Sequence, residues 1–408
     1  MQIIEIDHAL CTQSYACVRV CPVKAISPRP ADGMPLVDGN RCIGCGSCLD
    51  VCGANAISYQ SAVDQTVALL QSGQKVAAIV DPTISGEFPD ITDYRKFVEM
   101  IRTLGFHYVN EVSFGVDLVA RKHKELLSNF KGKYYLTANC PTLVSYVEKY
   151  YPELVYNLAP IVTPMTATAM VVRKTFGEDL KVVFIGPCLS AKYEAKLFSG
   201  LGQVDAVLTF QGLRQMFNRF QVKESKVEYS EFDPPIGNLG SLYPLSNGII
   251  FASGINESLL TSKVITAEGK DNMIDSVDEF GRNTEFIKKH FNIFYHEGCL
   301  MGPGTTEKSE KYLRRTMVVD YVNKRLRDFD QQQWEKDMNT HAALDLSRTF
   351  ASDDQRLPVP PEERVEEILK SLGKDLEDRA SCNACGYRSC RDFAISIDQG
   401  LTNPDIRQ

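Results

Sequence analysis

No apolar run in this chain approaches the length that crosses a bilayer, so no membrane span is expected. The start, Met1-Gln2-Ile3-Ile4-Glu5, lacks the basic region and apolar core of an export signal, which points to the cytoplasm. Basic residues are also in deficit: 45 Lys and Arg face 52 Asp and Glu, a formal net charge of -7. Nucleic-acid binding draws on clustered Lys and Arg to release counterions, so no nucleic-acid partner is expected. With 408 residues, 44% hydrophobic and 24% charged, the chain has room for two or three globular domains.

Cysteine is where the chain is rich. It has 13, and ten fall in tight clusters at the two ends rather than in disulfide-like spacings. In a reducing compartment that arrangement means metal thiolates. Residues 1–60 form an internal repeat, in which Cys11 to Ile26 and Cys42 to Ile57 each run from a cysteine array into a Pro/Gly-Val/Ala-x-Ala-Ile tail.

The second array, Cys42-x2-Cys45-x2-Cys48-x3-Cys52, has the 4Fe-4S spacing, in which three thiolates grip one cubane and the fourth reaches across to a partner cluster. Three close thiolates on one small loop, with the pattern recurring upstream, fit a zinc ribbon poorly. The first array reads Cys11-x2-Ser14-x2-Cys17-x3-Cys21-Pro22, so Ser14 stands at a cysteine position. By the crossover rule Cys21 joins Cys42, Cys45 and Cys48 around an intact cluster, leaving Cys11, Ser14, Cys17 and Cys52 for the other. Ser14 offers a harder oxygen that binds only when deprotonated, so this other cluster is expected to be 3Fe-4S, serine-ligated or labile.

From about Lys75 the texture changes. Apolar stretches at Val76-Ala77-Ala78-Ile79-Val80 and Val182-Val183-Phe184-Ile185 alternate with helical patterns over Tyr94–Leu104 and Leu143–Tyr150. Such alternation predicts parallel sheets covered by helices. Several strands end in a turn with a notable residue, at Asp81-Pro82, Asn139-Cys140-Pro141 and Gly186-Pro187-Cys188; in open α/β sheets sites are assembled at such ends. Residues 331–363 are polar, hold the lone Trp334 and include Pro358-Val359-Pro360-Pro361, which reads as a helix and a stiff linker before a short third module.

Three isolated cysteines, Cys140, Cys188 and Cys299, each stand beside Pro or Gly. Their segments, Thr137-Ala138-Asn139-Cys140-Pro141, Gly186-Pro187-Cys188-Leu189-Ser190-Ala191-Lys192-Tyr193-Glu194-Ala195 and His296-Glu297-Gly298-Cys299-Leu300-Met301-Gly302-Pro303-Gly304, resemble the three signatures of the catalytic domain of FeFe hydrogenases. That family interconverts protons and dihydrogen. The resemblance implies a two-lobed, hydrogenase-like α/β domain over 75–350, an N-terminal α+β ferredoxin-like domain over 1–60 with two clusters, and a C-terminal iron-sulfur module over 363–408.

The same resemblance implies roles. Cys140 and Cys188 would hold a 4Fe-4S cubane, and Cys299 would bridge it to a diiron unit carrying CO, cyanide and a bridging dithiolate. His296 stands where the remaining cubane cysteine is expected; imidazole replaces thiolate on iron in Rieske centres and raises the potential. Asn139 replaces the family's proton-passing cysteine, and an amide has no accessible pKa for acid-base work. Glu194 aligns with a family glutamate, but the lysine three places after the cysteine, which bonds a cyanide, becomes Ala191, with Lys192 one place later. Thr163, Pro164 and Met165 resemble a Ser-Pro-Met run lining the diiron pocket.

Ser381-Cys382-Asn383-Ala384-Cys385-Gly386-Tyr387-Arg388-Ser389-Cys390 resembles the Cys-Gly-x-Cys-Gly-Tyr-x-x-Cys motif of a small 4Fe-4S domain in sensory members. Cys382, Cys385 and Cys390 would be ligands, and no cysteine follows before Gln408, so the chain is expected to be a piece of a longer protein. The leading expectation is a sensory FeFe hydrogenase of low activity. It would act on dihydrogen and protons, hand electrons to a redox partner or downstream signalling domain, and a homodimer is open to it. The alternative is a non-catalytic iron-sulfur protein that keeps the hydrogenase fold without the diiron unit.

Overall fold

The computed structural model describes residues 2–255, 258, 260–306, 310–374, 382 and 384–407. They divide into two compact units, one formed by residues 1–60 together with 353–408 and the other by residues 61–352.

In the first unit the repeat folds into short antiparallel pairs. Strand β1 (Ile4–Ile6) pairs with β4 (Ile57–Tyr59), setting Ile4 opposite Tyr59, while β2 (Ile26–Pro28) pairs with β3 (Pro35–Val37). Each cysteine array leads into a single helical turn or two, Ala16–Val20 and Ser47–Asp50. The apolar core here is small: Ile3, Ile4, Val18, Ile26, Val37 and Ile43 are its main members. Cores of this size supply only roughly 3–5 kcal/mol without a metal or a disulfide.

The repeat extends to backbone conformation. Left-handed φ values occur at Gly44, Gly46 and Asn55 in the second half, and at Gln13, Tyr15 and Lys24 in the first. Glycine adopts this region freely, whereas a side chain costs about 1–2 kcal/mol there. The first half keeps the loop path without the residues that favour it. The segment beyond residue 353 adds two helices, Glu362–Ser371 and Cys390–Asp398, packed through Val365, Ile368, Leu369 and Ala394.

The second unit is α/β. A four-stranded parallel sheet runs in the order β6-β5-β7-β8, built from β5 (Val76–Val80), β6 (Tyr108–Glu111), β7 (Lys181–Gly186) and β8 (Ala206–Thr209). All five residues of β5 are buried, as a parallel strand covered on both faces requires. The expected helices are present as Tyr94–Thr103 and Pro141–Tyr150. A second parallel pair, β9 (Val264–Glu268) with β10 (His290–Phe294), gains bridges from Leu136 to Phe291 and to Leu158. The carboxyl ends of β5, β7 and β10, and the turn after Leu136, carry Asp81, Cys188, His296 and Cys140 in turn.

Candidate iron-sulfur and catalytic sites

A cavity in the second unit is lined by Asp81, Asn139, Cys140, Met165, Cys188, Ala191, Glu194, Tyr243, His296 and Cys299 among others. The three signature segments therefore meet, although 48 residues and more than a hundred residues of chain separate their cysteines.

Local rules place each group. Cys140 is the residue before the helix Pro141–Tyr150, with Pro141 at its first position, where a missing N–H costs nothing. Backbone N–H groups of that first turn face the thiol, the environment that favours a thiolate. Cys188 follows β7. Cys299 sits in a loop held by its N–H to the Pro244 carbonyl at 2.9 Å. Gly298, with φ of 61°, is required there, because an added Cβ would lie 2.0 Å from the same Pro244 oxygen.

Burial dominates the chemistry of these thiols. It raises the pKa of Cys140 against nearby backbone N–H groups. Cys188 is pushed up to about 12 by burial first and then by Cys140 and Glu194. Cys299 rises through burial, Asp81 and the other two cysteines, against a hydrogen bond from Tyr243. Three thiols kept protonated by burial and by the repulsion their thiolates would feel are a set that bound iron would deprotonate and neutralise. Asn139 points the same way, since both its amide nitrogen and its oxygen are buried without a protein partner. One oxygen of Glu194 is likewise unpaired, while the other accepts from Arg348 at 2.9 Å. The donor set fits the iron-sulfur group that the resemblance implies.

Met165 lines the cavity from the start of the helix Pro164–Phe176, whose first turn is capped by Thr163. Lys192 does not line it. This lysine is buried, donates to the Val207 carbonyl at 2.8 Å, and has its pKa lowered to about 8 by desolvation. Ala191 occupies the cavity wall instead, and Lys192 is turned to the Val207 carbonyl. Sequence reasoning gave no role to two wall residues. Asp81 is pushed up to about 6, mainly by burial, and accepts from the N–H and hydroxyl of Thr83. Tyr243 comes from a loop that carries no motif, and only the Asp81-Pro82 turn had drawn notice as a strand end.

In the first unit two further cavities follow the crossover pairing. Cys11, Ser14, Cys17 and Cys52 line one, and Cys21, Cys42, Cys45 and Cys48 line the other. Burial followed by neighbouring thiols raises the pKa of both Cys17 and Cys48. N–H groups point at sulfur at equivalent places in the repeat, from Ala25 to Cys21 at 3.2 Å and from Ala56 to Cys52 at 3.3 Å. Bonds of this kind stabilise the reduced cluster and tune its potential. At the other end Cys382 is exposed, Cys385 buried and Cys390 half-buried at a helix start; Ser381 and Asn383 lie outside the described residues. Among the described residues, no helix is long and apolar enough to cross a membrane.

Comparison with known proteins gives the family. The family described as "Iron only hydrogenase large subunit, C-terminal domain" matches residues 74–299, and a 4Fe-4S dicluster domain matches residues 3–53. Iron hydrogenase 1 of Clostridium pasteurianum is 28% identical over 286 residues, 53% of this chain and 50% of that protein, so the chain spans half the length of this relative. The periplasmic Fe hydrogenase large subunit of Nitratidesulfovibrio vulgaris is 24% identical over 62% of this chain and 67% of its own length. Among solved structures, an apo FeFe-hydrogenase variant from Chlamydomonas reinhardtii shares the fold with a TM-score of 0.55 at 17% identity, covering 72% of this chain and all of that one.

Proposed function

The chain belongs to the iron-only hydrogenase family, and from that premise we propose that it is a sensory hydrogenase of low turnover, acting on dihydrogen and protons in the cytoplasm. The observation that carries the reading is the meeting of Cys140, Cys188, Cys299 and His296 on one cavity wall beside an unpaired Asn139. Cys140, Cys188, Cys299 and His296 would hold a cubane, with Cys299 also bridging to a diiron unit. That cofactor, when bound, supplies the cleavage or formation of dihydrogen.

The chain's own residues set the pace. Asn139 can orient a group through hydrogen bonds but cannot accept and release protons near neutral pH, so proton delivery is slow. A sensor needs only to report occupancy. Met165 and the apolar wall of Phe184 and Phe294 limit water in the cavity. Cys11, Cys17, Cys21, Cys42, Cys45, Cys48 and Cys52 of the N-terminal repeat would hold clusters that supply electron transfer to a redox partner or signalling domain.

A second reading has a specific observation in its favour. With Ala191 on the wall and Lys192 turned to Val207, no lysine is among the described residues that line the cavity to anchor a cyanide ligand. The chain would then be an electron-transfer or cluster-assembly protein without the diiron unit. Infrared spectroscopy after loading with the diiron precursor separates the two: CO and cyanide bands retained on the protein support the hydrogenase, and their absence supports the non-catalytic protein.

A further inference from the structure

Three cations flank the cysteines of the intact N-terminal set: Arg19 and Lys24 on either side of Cys21, and Arg41 next to Cys42. Each donates to a backbone carbonyl of the C-terminal segment. Arg41 reaches Gln355 at 2.5 Å, Lys24 reaches Gly386 at 2.8 Å and Arg19 reaches Ile406 at 3.1 Å. Lys24 also lies over the Tyr387 ring, 4.0 Å from its centroid. These contacts hold the segment containing Cys382, Cys385 and Cys390 against the helix that ends at Cys21.

The closest approach is at Gly386, with φ of 74°, where an added Cβ would fall 2.2 Å from the Arg19 carbonyl oxygen. Cys385 is the residue before Gly386 and Cys21 lies two positions after Arg19, so with Cα steps of about 3.8 Å their Cα atoms lie within roughly 14 Å.

We propose that the C-terminal cysteine motif is docked on the ferredoxin-like fold as an electron port: the thiols of Cys21 and Cys385 present two iron-sulfur clusters to each other across the Gly386–Arg19 contact. One electron crosses from the reduced cluster held by Cys21, Cys42, Cys45 and Cys48 to the C-terminal one, with no bond made or broken. Electron tunnelling decays steeply with distance, so this close seating selects the port over longer routes. Lys24, whose ammonium donates to the carbonyls of both Arg19 and Gly386, places positive charge at the seam between two anionic thiolate sets that would otherwise repel each other. The inference rests on the reading that Cys382, Cys385 and Cys390 hold a cluster.

The test uses the full chain loaded anaerobically with iron and sulfide, and compares it with the triple variant Cys382→Ser/Cys385→Ser/Cys390→Ser and with Gly386→Val. Iron is counted, and the microwave power that half-saturates the dithionite-reduced N-terminal EPR signals is measured. The triple variant is expected to lose about four irons per chain and to saturate at severalfold lower power, because a fast-relaxing neighbour has gone. Gly386→Val is expected to keep its iron and show the same fall in power; should it shed iron, Lys24→Gln loosens the contact without steric change and is read in its place. Loss of iron in the triple variant with unchanged saturation would overturn the port while leaving the C-terminal cluster standing. No loss of iron would overturn the cluster itself, and the port with it.

Discussion

The hydroxyl of Tyr243 donates to the backbone carbonyl of Asn139 at 2.9 Å, tying a motif-free loop to the residue just before the Cys140 ligand position. The same side chain lines the cavity with Cys299, and its bond to Asn139 braces the wall they share.

Tyr243→Phe removes that brace without changing shape. It leaves a buried carbonyl unpaired, which costs about 1–3 kcal/mol. Denaturant unfolding of the iron-free chain should show this loss with an unchanged slope, and a variant as stable as the parent would show that the contact contributes nothing.

Asn139→Cys puts a titratable thiol where the amide now has no partner. If slow proton delivery limits the protein, hydrogen evolution by the loaded variant should rise by roughly 10²-fold or more, the ordinary contribution of a positioned acid or base. Gas chromatography of headspace dihydrogen reads the change. Equal rates in parent and variant would place the limit elsewhere.

Asp81 gives a pH signature. Burial raises its folded pKa to about 6 from 3.8, so between these values the folded chain binds the proton more tightly than the unfolded chain. Its contribution to stability is full below about pH 4, is lost as pH rises through about 6, and stays lost above. Asp81→Asn keeps the oxygen that accepts from Thr83 and cannot ionise. Subtracting the parent's stability from the variant's in the iron-free chain should give a difference that grows toward the variant by up to about 3 kcal/mol between pH 4 and 6. A flat difference would refute the shift.

How much of this was legible beforehand depended on whether neighbours in space were neighbours in sequence. Cysteine spacing displayed the N-terminal sets because each thiolate loop is local, and the apolar runs of β5 and β7 displayed the parallel sheet. Lys192 misled because a slip of one position on a helix turns a side chain by about 100°, enough to exchange the cavity wall for the Val207 carbonyl. Tyr243 and Asn139 lie 104 positions apart, and nothing local marks their pairing. Left-handed φ at Gln13, Tyr15 and Lys24 is hidden for a related reason, since these residue types do not advertise it. The seating of Gly386 on Arg19 joins opposite ends of the chain and leaves no periodic trace at all.

His296 is the departure with the clearest electronic consequence. It lines the cavity with the three cysteines, its ring 5.0 Å from that of Tyr295. A neutral imidazole on a cubane iron leaves the cluster one negative charge short of a four-thiolate set, so the cluster accepts an electron more readily. His296→Cys restores that charge and should lower the midpoint potential by on the order of 100 mV, judged from the span between histidine- and cysteine-ligated clusters. An EPR-monitored redox titration of the chain loaded with iron and sulfide alone reads the shift without any diiron unit. The iron content should not change, because either side chain completes the set. If both the potential and the iron content stay where they were, His296 is not a ligand, and the cubane is held by the three cysteines and some other group.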